Sequence, residues 1–107
     1  MKPLVLLIAL ALAGAANAAD PAAGKKKAAE VCGACHGPEG NKPSDPTQPV
    51  LAGQHYDYLV RALTDYKLGK RSNPIMKGFA SQLSKKEIED VAAWFSSQKS
   101  ALHDQRQ

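Results

Sequence analysis

Cys32-Gly33-Ala34-Cys35-His36 is the stretch that decides how this chain folds. On a helix Cys32 and Cys35 stand i, i+3 and share a face, and His36 is i+4 from Cys32. Cys-x-x-Cys-His is the attachment signature of haem c: two thiols add across the two vinyl groups of haem, and the adjacent imidazole is carried under the iron. Three other uses of the string fit less well. A thioredoxin-like dithiol needs a βαβ context. A structural zinc site needs two more ligands, and only His55 and His103 remain besides His36. An unmodified disulfide would close a tiny loop and remove little unfolded-chain entropy. One motif implies one haem c, with Cys32 and Cys35 as thioethers and His36 as the fifth iron ligand.

Outward from the motif, the chain is short: 107 residues, 44% hydrophobic but only 6% aromatic, with a formal charge of +4. That is one domain, too small for an α/β barrel or a two-domain dinucleotide enzyme. Lys2 is followed by an uncharged run from Pro3 to Ala19 ending in Ala16-Asn17-Ala18, the pattern of a secretory signal peptide. The run falls short of the ~20 apolar residues a membrane helix needs. Residues 1–18 are therefore expected to be a signal peptide and 19–107 the folded domain, in the periplasm. No membrane insertion is expected after cleavage. No nucleic-acid partner is expected either, since the basic residues lack aromatic interleaving. Loss of 1–18 removes one lysine and no acid, leaving +3 on 89 residues with nineteen large apolar side chains. A core that small is marginal, and the haem is expected to complete it.

Three segments have helical periodicity and none alternates like a strand. Asp20 and Pro21 read as N-cap and first helical residue of a helix reaching about Ala34. A second runs from about Gln54 to Leu68, where Leu59, Ala62, Leu63 and Tyr66 share a face and Gly69 stops it. Ser84 and Glu87 form a capping box for a third, with Leu83 and Ile88 placed to staple it and Ile88, Val91, Ala92 and Phe95 apolar together. Between them lie a proline-rich stretch, 37–53, and a second stretch, 70–83, both read as irregular loops. Two such loops in so small a domain are expected only if they wrap something.

The sixth ligand has fewer candidates. Met76 is the only methionine left after cleavage, in a stretch with no periodic face for it to fill, and is read as the ligand. A bis-histidine haem through His55 or His103, or an open iron, are the alternatives. His36 should donate its other ring N–H to a carbonyl of the proline-rich loop, with Pro38, Pro43, Pro46 and Pro49 as candidates. Lys77 follows Met76, and Lys25, Lys26 and Lys27 form a solvated helical face or a docking surface for an acidic redox partner.

These residues together resemble a class I c-type cytochrome of the small periplasmic monohaem kind, and one lobe of the related dihaem cytochromes. The similarity is carried by Cys32 to Gly37, Pro49 to Gln54, Gly69 to Met76, and Leu83-Ser84 leading into the last helix. The resemblance implies an all-α cytochrome c fold with three main helices and long loops around one covalently bound haem. It also implies a first and last helix that cross, with Met supplied from the distal loop. Gly24 and Ala28 stand where the family has a small and often an aromatic residue, and Val91 and Trp94 match the last helix; Trp94 is read as ordinary core. Arg71 is either a partner of a haem propionate or a solvated loop charge. The function implied is one-electron transfer between redox proteins with no catalytic residues. The alternative is a haem enzyme or gas-binding module with an open or labile sixth site.

Overall fold

The structure, a computed structural model, describes residues 18–100, so nearly all of the expected leader, and His103, lie outside it. The described residues are all-helical, with no strand. Helix α1 covers Pro21–Val31, α2 Gly33–His36, α3 Tyr56–Leu68, α4 Pro74–Ala80 and α5 Lys85–Ser96. None is long and apolar enough to cross a membrane.

Local chemistry sets most of these boundaries. Asp20 caps α1 by accepting from the amides of Ala22 and Ala23, and Pro21 occupies the position whose N–H would go unused. The expected first helix is interrupted at Cys32 and resumes at once as α2. Its register survives, because the Ala28 carbonyl accepts the Cys32 amide and the Cys32 carbonyl accepts the His36 amide. Helix α3 ends on Gly69 in the left-handed region, φ 75°. The capping box of α5 is complete in both directions, Ser84 Oγ to the Glu87 amide and Glu87 to the Ser84 amide. Leu83 and Ile88, flanking it, are both buried.

The 70–83 stretch departs from expectation: it is not a loop throughout. Asn73 accepts the amides of Ile75 and Met76, Pro74 takes the first helical position, and α4 runs through Gly78. Glycine weakens a helix without forbidding it, and seven residues are too few to show a periodic face.

The core lies between α1, α3 and α5. Ala28, Leu59, Val91, Ala92 and Phe95 form its buried centre. Helices α1 and α5 cross at backbone contact: a Cβ built on Gly24 would stand 1.9 Å from the Asp90 carbonyl oxygen. The buried Asp90 carboxylate fastens the same corner, accepting the Asp20 amide at 2.8 Å and the Lys86 ammonium at 2.6 Å. Lys27 of α1 pairs with Glu87 of α5 at 2.7 Å across the crossing.

Candidate functional site

Cys32, at the junction of α1 and α2, and Cys35, within α2, are both half-buried. Burial, with the neighbouring Cys35, pushes the Cys32 thiol up to about 11. His36 ends α2 and is 5% exposed. Its Nδ1 lies 3.0 Å from the Pro49 carbonyl oxygen. A carbonyl can only accept, so Nδ1 carries the proton and the lone pair sits on Nε2. Of the four prolines the sequence left open, the chain uses Pro49.

The loop that delivers Pro49 is ordered by its own bonds. The Cys35 and His36 carbonyls accept the Ser44 and Lys42 amides. The Gln48 side-chain oxygen accepts the Ser44 and Asp45 amides, closing a turn just before Pro49. Gly40, at φ 78°, takes both Leu51 and Ala52 amides on its carbonyl. A side chain there would strike Phe95 Cδ1 at 2.8 Å, so loop and α5 touch.

Met76 lies half-buried in the first turn of α4, its amide held by Asn73 at 3.1 Å. Ile75 and Phe79 of the same helix are exposed, as are Leu68 and Tyr58 of α3. Lys77 is bonded into α4 through its amide and carbonyl, and its ammonium leans over Gly69 at the end of α3. His55 is an exposed N-cap residue of α3. Arg71 is neither a free loop charge nor buried. It stacks on the Tyr66 ring at 4.9 Å and donates to the Tyr58 hydroxyl at 3.3 Å. Trp94 is not core. It is half-buried, donates Nε1–H to the Pro38 carbonyl at 2.9 Å, and carries the Lys25 ammonium over its ring. The buried centre of the core takes Phe95, while Trp94 packs against its edge. Sequence reasoning missed Asn73 as a cap, although the Asn-Pro pair repeats the Asp-Pro signal that opens α1.

Haem c suits this donor set. Two free thiols on one helical turn are the groups that form thioethers, and the next residue is an imidazole already oriented through its other nitrogen.

Comparison with known proteins agrees. The cytochrome c family model matches residues 21–99. Cytochrome c4 of Pseudomonas aeruginosa is 50% identical over 98 residues, 91% of this chain and 48% of that protein. Cytochrome c-554(548) of Halomonas halodenitrificans is 39% identical over 84 residues, which cover 76% of this chain and 99% of that protein. The crystal structure of reduced recombinant cytochrome c4 from Pseudomonas stutzeri superposes with a TM-score of 0.72 at 44% identity, over 79% of this chain and 48% of that one. The chain thus spans about half the length of the cytochromes c4 it matches, the equivalent of one lobe of a dihaem protein. Its cofactor is covalently bound haem c, and the chain belongs to the cytochrome c family.

Proposed function

We propose that this chain is a soluble periplasmic one-electron carrier, with no substrate chemistry of its own. Residues 1–18 are removed on export, and residues 19–107 form the working domain. Cys32 and Cys35 hold haem c as thioethers, and His36 and Met76 are its axial ligands. When bound, haem c supplies reversible exchange between Fe(II) and Fe(III).

The orientation of His36 by the Pro49 carbonyl carries this reading. A ligating histidine needs a fixed tautomer and ring plane, and an acceptor on the second nitrogen provides both while raising the basicity of the first. The rest of the chain fits a carrier. Met76 stands on a capped helix, a placement that lets both ligands stay in place in either oxidation state. Thioether–imidazole ligation raises the potential. The exposed Lys25 and Lys26 offer basic docking charge to an acidic redox partner, whose encounter would be steered by that charge.

The test is optical. Purified holoprotein should show a low-spin haem spectrum in both states and bind carbon monoxide only slowly when reduced at neutral pH. Rapid carbon monoxide binding would overturn the carrier reading and favour a haem enzyme or gas-binding module with an open sixth site.

A further inference from the structure

The far end of α5 does more than close the core. Three bonds tie it and the residues just after it to the loop at 37–53. The Phe95 carbonyl accepts the Gly53 amide at 2.9 Å, the Lys99 carbonyl accepts Asn41 Nδ2 at 2.9 Å, and the Pro38 carbonyl accepts Trp94 Nε1–H at 2.9 Å. Between these anchors, Gly40 gathers Leu51 and Ala52 and so carries Pro49 back over His36. The Trp94 bond lands nearest the ligand, two residues past His36. Pro38 has no N–H, so its carbonyl is its one backbone hydrogen-bonding group. Pro38 also packs on the thiol-bearing turn: a Cβ on Gly33 would stand 3.7 Å from its Cα. Lys25 lies over the indole face, 5.5 Å from the ring centre.

We propose that Trp94 is a positioning residue for His36: its indole N–H fixes the Pro38 carbonyl and thereby the loop whose Pro49 carbonyl orients the imidazole. This rests on His36 ligating the haem, as proposed above. With Trp94 in place, the Pro49 bond keeps electron density on the imidazole and favours Fe(III). Without the tether the loop samples other positions, that bond weakens, and Fe(II) gains.

The experiment compares wild-type holoprotein with Trp94→Phe, which keeps an aromatic ring and removes the donor. The expected result is a raised midpoint potential, together with His36 Nδ1–H exchange faster by about tenfold, as a looser bond exposes the proton more often. Unchanged potential and exchange in a folded, haem-loaded variant, with only its melting temperature lowered, would overturn the proposal and leave Trp94 a packing residue. Should the variant fail to load haem, the wild type decides. The Trp94 indole N–H and the His36 Nδ1–H should exchange through one opening, with the same denaturant dependence. Independent exchange would overturn the proposal. A wild-type protein without a low-spin spectrum would overturn the ligation reading as well, which separates the two failures.

Discussion

Gly24→Ala tests the helix crossing on which the site is built. The added Cβ would meet the Asp90 carbonyl oxygen at 1.9 Å and its carbon at 2.4 Å. Backbone cannot rotate away as a side chain can, so α1 and α5 must separate by about 1.5 Å to reach ordinary contact. Overpacking of this kind costs ~1–3 kcal/mol, and a backbone clash belongs at the upper end. Alanine's helix preference over glycine returns about 1 kcal/mol, leaving a net loss of roughly 2 kcal/mol. For a domain of this size that lowers the melting temperature by roughly 10 °C. Gly78→Ala is the matched control. It adds the same atom to a helical glycine with nothing within 4 Å, so it should stabilise by ~0.5–1 kcal/mol. Thermal unfolding of the holoproteins, followed by far-ultraviolet circular dichroism, reads both. Equal melting temperatures for parent and Gly24→Ala would refute the crossing geometry.

Three further outcomes are expected. The Lys27 partner, then the Ser84 amide, hold the Glu87 carboxyl down at about 2, against an ordinary value near ~4.3. Its contribution is therefore complete above about pH 4.5 and lost as pH falls toward 2, and Glu87→Gln should flatten acid unfolding across that window. Met76→Ala should keep haem attached, open the sixth position to water and lower the potential; an unchanged sulfur-to-iron band would remove Met76 from the ligand set. From the sequence, Lys77 is the first choice to replace the thioether at alkaline pH and Lys70 the runner-up. The structure reverses that order, since Lys77 is bonded into α4 beside Met76 and cannot reach the same point without unwinding it. Lys70→Ala should raise the transition pH of the oxidised protein and Lys77→Ala should leave it unmoved, by absorbance titration; the reverse result would mean that α4 unwinds.

What could be read from the sequence was whatever is local or periodic. The Cys-x-x-Cys-His string, the Asp20-Pro21 start, the Gly69 stop and the Ser84–Glu87 box each act within a few residues, and each stands where expected. The apolar face of α5 was equally legible because twelve residues display it. Contacts made through space were not. Nothing in four spaced prolines favours Pro49; that choice follows from the Gln48 turn and from Gly40 gathering Leu51 and Ala52. Trp94 and Phe95 are adjacent and both aromatic, and only the packed helix decides which enters the core. Helix α4 fell between these cases: its cap was local and readable, but Gly78 and a length of two turns concealed it.

The two candidate ligands are consequently held by different kinds of contact, and they should be lost in order. His36 is buried and held by the Pro49 carbonyl of a loop itself tethered to residues far along the chain, so freeing it means detaching that loop. Met76 is held by a seven-residue helix whose chief local support is the Asn73 cap. An isolated helix of that length is unstable in water, and a cap of this type contributes ~1 kcal/mol. Partial denaturation of the oxidised holoprotein should thus remove the Met–iron band before the far-ultraviolet helix signal falls. Asn73→Ala should move the first transition to lower denaturant, by the equivalent of ~1 kcal/mol, and leave the second in place. Coincident transitions in the parent, or a variant that shifts both together, would show that α4 unfolds only with the core.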